Sequence, residues 1–148
     1  MNIILSIKPK WAKLIYEGKK TIEWRKSFPL KANTGSRVYI YETYPVNKIT
    51  GSFIFNCHYL LDAYEPYWIQ QYQERGIDII NSGCVPIEDL KIYQNKRRCL
   101  HGWDCVGALR FNPKPLEYFN LKRPPQSWCY TKLKLTTLER YREDKEDT

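Results

Sequence analysis

The sequence predicts an α+β domain: a small mixed β-barrel with two or three short helices packed around it. Three observations lead there. Apolar residues alternate with polar ones over many short stretches, the signature of strands. Helical spacing is confined to brief segments, and no regular strand–helix–strand alternation occurs. The length of 148 residues, with 43% hydrophobic residues including twelve Tyr and five Trp, supports one packed domain and excludes wholesale disorder.

The elements follow in order. Ile3, Leu5 and Ile7 alternate with Asn2, Ile4 and Ser6, which predicts a first strand. Pro9 suits a first helical position, and Trp11, Leu14 and Ile15 fall at i, i+3 and i+4, which predicts a helix over residues 9–17. Gly18 suits the turn that ends it. Residues 19–26 then alternate again, with Ile22 and Trp24 on one face and Thr21, Glu23 and Arg25 on the other. Residues 33–36 form a turn before a strand over 37–43 that reads as buried on both faces. A long strand over 49–59 puts Ile49, Gly51, Phe53, Phe55, Cys57 and Tyr59 on one face and His58 on the other.

The pattern from Asp62 predicts a helix carrying Trp68, Ile69 and Tyr72, ending near Gly76, and a second short helix over 87–93. A basic loop spans 95–98, a strand spans 103–111, and a proline-marked connection leads to a last strand over 127–135, where Lys132 and Lys134 face water. Residues 1–137 read as one domain. The charge-dense 138–148 reads as a frayed tail.

The net charge of +8 is unevenly spread. Residues 1–37 carry nine basic and two acidic side chains, and residues 91–123 carry eight and two. Residues 38–90 carry two basic and seven acidic ones. If the fold brings the two basic segments together, with the acidic one turned away, they form a positive face for a phosphate-rich partner. Scattered, solvated lysines are the plainer alternative. The longest apolar runs are too short to cross a bilayer, and the first residues lack a signal-peptide pattern, so a soluble, cytoplasmic protein is expected. Five cysteines, none in C-x-x-C spacing, read as reduced thiols in a core; Cys99, His101 and Cys105 would need Cys57 and His58 to complete a zinc site, and no metal is expected.

No glycine-rich phosphate loop, Ser-His-Asp ordering, H-E-x-x-H or paired-carboxylate signature is present. The distinctive unit is Leu5-Ser6-Ile7-Lys8-Pro9, a helix, then Gly18, Lys20, Glu23 and Arg25 in a G-x-K-x-x-E-x-R segment. With these residues the chain resembles the ASCH domain family, a branch of the PUA-like β-barrel superfamily. Further echoes are Val38 to Tyr41 with Pro45-Val46, the strand containing Gly51, and Arg123-Pro124-Pro125-Gln126-Ser127-Trp128, a closing stretch similar to that of phage and prophage members. The resemblance covers residues 3–135, with 60–102 unlike the family pattern.

The resemblance implies a cleft beside the first helix that binds RNA or a nucleotide, with no cofactor and no membrane partner. The binding residues it implies, together with the bottom-up reading of side chains, are Lys8, Lys19, Lys20, Glu23, Arg25, Lys26, Tyr41, Tyr44, Gln126 and Ser127. A guanidinium grips phosphate as a fork, a lysine supplies a point charge, a carboxylate accepts from a base amine or ribose hydroxyl, and a tyrosine stacks on a base. The alternative is a small hydrolase acting on a modified nucleoside or RNA, with Lys20 and Glu23 as the catalytic pair. In family amidohydrolases the motif lysine acts with a threonine three positions later, and Glu23 stands there in this chain. On residues alone, a Glu23–Arg25 ion pair that merely fixes a strand stays open, and Trp11 and Trp24 read as core.

Overall fold

The computed structural model describes residues 1–62, 79–95 and 99–141. Eight strands and four α-helices are arranged there around two sheets. The strands are β1 (Asn2–Ile7), β2 (Ile22–Arg25), β3 (Arg37–Glu42), β4 (Lys48–Ile54), β5 (His58–Asp62), β6 (Cys99–Asp104), β7 (Leu109–Lys114) and β8 (Trp128–Thr131). The helices are α1 (Pro9–Tyr16), α2 (Ile79–Ser82), α3 (Ile87–Gln94) and α4 (Thr137–Tyr141). No helix among the described residues is long and apolar enough to cross a membrane.

Five strands form a mixed sheet in the order β7-β4-β3-β1-β8, with β1 parallel to β3 and antiparallel to β8. The other three form a small antiparallel sheet, β2-β6-β5. The expected closed barrel is therefore corrected: among the described residues the strands make two open sheets. The reason lies in two corners. The predicted strand over 49–59 is two strands, β4 in the large sheet and β5 in the small one, and the predicted strand over 103–111 is likewise β6 and β7. Phe53 and Phe55 both enter the same core on either side of the first corner, so the alternation runs on while the hydrogen-bonding partner changes. The second corner turns at Gly107, whose φ of 75° suits a residue without a Cβ.

β1 and β3 are buried on both faces, as central strands of a covered sheet should be. Ile3, Leu5, Ile7, Val38 and Ile40 pack with Ala12 and Ile15 of α1, Phe53, Phe55 and Trp103 in a first core. Ile4, Tyr39, Tyr41 and Ile49 pack with Phe111, Leu116, Phe119 and Leu135 in a second. A third, smaller core joins Ile22, Trp24, Leu61, Leu90 and Leu100. The last strand ends at Thr131, earlier than expected, because Leu133 and Leu135 fold over the second core instead of continuing the ladder. Lys132 and Lys134 face solvent. The predicted helix carrying Trp68, residues 96–98 of the basic loop and the tail beyond Tyr141 lie outside the described residues.

Candidate nucleic-acid interface

The site begins where α1 ends. Pro9 occupies the first turn, where its missing N–H costs nothing. At Gly18, with φ of 76°, the chain reverses, and the Lys19 and Lys20 N–H groups both donate to the Leu14 carbonyl. This reversal carries Lys20 under the helix, where it is 1% exposed. Its ammonium lies 3.4 Å from Glu23 Oε2, donates to the Gly83 carbonyl, and sits 5.2 Å from the centre of the Trp11 ring.

Glu23 and Arg25 project from the same face of β2. Glu23 is 8% exposed, and its Oε1 accepts from Arg25 Nε at 3.1 Å. The rest of the guanidinium is also engaged within the chain: Nη2 donates to the Ser6 carbonyl at 2.6 Å and Nη1 to Ser127 Oγ at 3.1 Å. The closing stretch is further tied to β1 by Ser6 N–H to the Ser127 carbonyl at 2.9 Å and Ser6 Oγ–H to the Pro125 carbonyl at 2.7 Å. Arg25 thus acts as a clamp between β1, β2 and the segment before β8. The ion pair considered from the sequence is present, but as one arm of a three-way junction.

Beside this junction lies a cavity of about 510 Å³, within the range of small-ligand sites. β1 and α1 supply Ser6, Lys8 and Trp11, and β2 supplies Glu23, Trp24 and Arg25. Thr43 follows β3, Gln126 comes from the closing stretch, and Val85, Asp89, Leu90 and Tyr93 come from α3 and the turn before it. Lys10 Nζ lies 4.5 Å from the centre of the Trp11 ring, and Lys26 Nζ lies 4.7 Å from that of Tyr93. Cations therefore rest on two of the three aromatic side chains that line the cavity, Trp11 and Tyr93.

Of the residues expected from the sequence, Lys8, Glu23, Arg25 and Gln126 come together on the cavity wall. Lys20 lies behind Glu23 and supports it. Ser127 holds Arg25 and the backbone of β1. Lys26 reaches the cavity through Tyr93. Lys19 instead pairs with Glu17 at 3.0 Å on the surface. Tyr41 is 3% exposed in the second core, its hydroxyl 3.4 Å from Asn47 Oδ1, so it offers no stacking face; this corrects its assignment, because β3 is covered on both sides. Tyr44 is 82% exposed, beside the cis bond to Pro45.

Tyr93, Asp89 and Thr43 are wall residues that the sequence reading did not single out, and Trp11 is one that it read as core. Trp11 carried a signal, since it starts the helical stripe, but its half-buried position serves core and cavity together. Asp89 also corrects the placement of charge. The acidic middle segment is not turned away, because it contributes Asp89 and three uncharged residues to the wall. Residues 1–37 and 91–123 become neighbours at β2 and β6, but β6 carries no Lys or Arg, so that pairing does not itself make a positive face.

Across the small sheet from Arg25, His101 Nδ1 and His58 Nε2 share a hydrogen bond at 2.9 Å, and the His58 ring stacks on Phe28 with centroids 3.8 Å apart. Burial holds both imidazoles below the usual histidine range, and for His58 the neighbouring His101 adds to the effect. The folded state then binds fewer protons than the unfolded one, so stability is full above the unfolded histidine range and falls as pH drops through it. Urea midpoints should decline from pH 7 to pH 5, and a His58→Phe, His101→Phe variant should flatten that part of the profile. Among the described residues no three His, Cys, Asp or Glu side chains converge as a metal site, and all five cysteines are free thiols.

Comparison with known proteins bears on the chain as a whole. The family model of the ASCH domain matches residues 5–115. A stretch of 48 residues is 44% identical to a protein named ASCH domain-containing ribonuclease from Zymomonas mobilis. That stretch covers 32% of this chain and 32% of the relative, so the match spans about a third of the curated relative's length. Among solved structures, a mutant of ZmASCH from Zymomonas mobilis superposes with a TM-score of 0.71 at 21% identity, covering 88% of this chain and 90% of that one. ASCH from Zymomonas mobilis gives 0.69 at 22% identity, covering 93% and 90%. At these identities the likeness is one of fold.

Proposed function

This chain belongs to the ASCH domain family, and on that premise we propose that it binds single-stranded RNA, one nucleotide entering the cavity beside α1. The observation that carries the reading is the cavity itself. Two of the three aromatic side chains that line it, Trp11 and Tyr93, each bear a lysine ammonium, and Lys8 lines it from an exposed position. Stacking platforms flanked by cations are the means by which proteins hold unpaired nucleotides. The name of the relative from Zymomonas mobilis supports RNA as the partner. Free thiols suit a reducing compartment, and we place the protein in the cytoplasm.

Anisotropy titrations with a labelled single-stranded RNA test this. Three phosphate contacts, from Lys8, Lys10 and Lys26, correspond to a loss of about 20-fold in affinity between 50 and 200 mM salt. Lys8→Ala or Lys26→Ala should each lower the salt slope by about 0.7. Absence of binding at 50 mM salt overturns the reading.

A second reading, cleavage of the bound RNA, is favoured by the ribonuclease name of that same relative. In it Glu23, on the cavity wall, takes the proton of a ribose 2′-hydroxyl as its oxygen bonds to the adjacent phosphorus and the P–O5′ bond breaks, water supplying the proton of the leaving 5′-oxygen, while Lys20 holds Glu23 in place from behind. Shortening of an end-labelled RNA by the wild type, lost in Glu23→Gln while RNA is still bound, is the expected result. An uncut RNA would leave binding alone.

A further inference from the structure

We propose that the RNA strand does not stop at the cavity but continues to a second stacking platform, formed by Trp128 and Tyr130 with Lys31 above them. The inference rests on the reading of the cavity as the RNA site. What it adds is the path of the strand outside the cavity and the length of RNA that the protein holds.

Two segments lead from the cavity to this platform. Arg25 and Gln126 are wall residues. Beyond them, residues 25–31 and 126–130 are bonded to each other three times. Arg25 Nη1 donates to Ser127 Oγ at 3.1 Å, Trp128 Nε1 to Ser27 Oγ at 2.8 Å, and the Lys31 N–H to the Tyr130 hydroxyl at 3.0 Å. These bonds fall in the same order along both segments, so the two leave the cavity together. At the far end the half-buried rings of Trp128 and Tyr130 meet edge to face, their centroids 5.1 Å apart. Lys31 is exposed, and its Nζ lies 5.4 Å from the centre of the Tyr130 ring. That repeats the arrangement of Lys10 on Trp11 and of Lys26 on Tyr93.

The charge along this path suits a polyanion. Residues 24–41 and 118–138 contain no Asp or Glu, and Lys31 forms no ion pair among the described residues. Its flexible stem lets the ammonium leave the ring for a phosphate as a base takes the ring face. The indole and the phenol are already fixed by Ser27 and the Lys31 backbone, so binding costs little further ordering. From Ser127 to Tyr130 the chain advances about 10 Å at roughly 3.3 Å per residue, which accommodates about three nucleotides at 3.4 Å each. With the nucleotide in the cavity, the site takes about four. A longer RNA thus gains a fourth phosphate contact, from Lys31, over the three at the cavity.

Anisotropy titrations of labelled U2 and U8 RNA at 50 mM salt test this. U8 should bind at least thirtyfold more tightly than U2, above the roughly sevenfold that an octamer gains by offering a dinucleotide seven registers. A smaller ratio overturns the inference and leaves the RNA reading standing. Should U8 not bind at all, the RNA reading falls and the inference with it. Lys31→Ala, at an exposed position, should lower the U8 affinity at least threefold and its salt slope by about 0.7, and Lys31→Arg should restore both. U8 binding unchanged in Lys31→Ala would remove the platform from the RNA path.

Discussion

Replacing Lys20 with methionine should lower the unfolding free energy by about 3–5 kcal/mol, the cost of breaking a buried ion pair from one side. Methionine fills nearly the same space, so the loss is electrostatic. It leaves the Glu23 carboxylate with Arg25 as its remaining described cationic partner and takes the only described side-chain donor from the Gly83 carbonyl. The urea midpoint should fall by about 1.5 M or more. Glu23→Gln also takes the carboxylate from Arg25, so coupling is read from a double-variant cycle: Lys20→Met with Glu23→Gln should lose less than the sum of the two single losses. A double-variant loss equal to that sum would show that Glu23 and Lys20 are not coupled. A lysine 1% exposed behind the wall acts on a ligand through Glu23, so Lys20→Ala loses fold stability along with any binding.

Gly51→Ala should be the most damaging single methyl addition, at about 1–3 kcal/mol or slightly more. Gly51 sits opposite Ile40 of β3 and Arg110 of β7, and a Cβ there would run into the Leu109 carbonyl and the Tyr16 ring, whose Cε1 would be 2.7 Å away. Tyr16 cannot retreat easily. Its hydroxyl is bonded to Thr50 Oγ1 at 2.8 Å, and the Arg110 guanidinium lies 4.2 Å from its ring centre while pairing with Glu42 at 2.9 Å. Tyr16 ends α1, so the strain reaches the helix that walls the cavity. A thermal melt should show a fall of about 5–10 °C. Gly107→Ala is the control: its φ is positive, but nothing lies within 4 Å of an added Cβ, so its loss should be close to 1 kcal/mol.

The first forty residues were legible because local rules suffice there. Pro9, Gly18 and the Ile22/Trp24 alternation fix the β1–α1–β2 unit, and the Lys20, Glu23, Arg25 spacing marks the site with it. The corners between β4 and β5, and between β6 and β7, were not legible. Phe53 and Phe55 keep their alternation across the first corner, so no break in pattern signals a change of partner sheet. Trp24 Nε1, buried without a hydrogen bond among the described residues, belongs to the same blind spot, since sequence does not show which turn it will pack against. Asp89 and Tyr93 were missed for another reason. They sit on a helix from the stretch least like the family pattern, and an i, i+4 pair of an acid and a tyrosine reads as ordinary surface until the helix is docked. Tyr41 failed as a stacking residue because burial on both faces of β3, itself correctly read, leaves no tyrosine of that strand free.

The junction at Arg25 has a consequence for synthesis on the ribosome. Two of its arms, to Ser6 and Glu23, are available early, but the third requires Ser127, and β1 gains its second neighbour only when Trp128 to Thr131 arrive. A nascent chain can form α1 and pair β1 with β3 long before then, since N-terminal elements can fold first. Gln126, a wall residue, and Pro125, which accepts from Ser6, come much later in the chain. The cavity is thus among the last features to be completed as the chain is made.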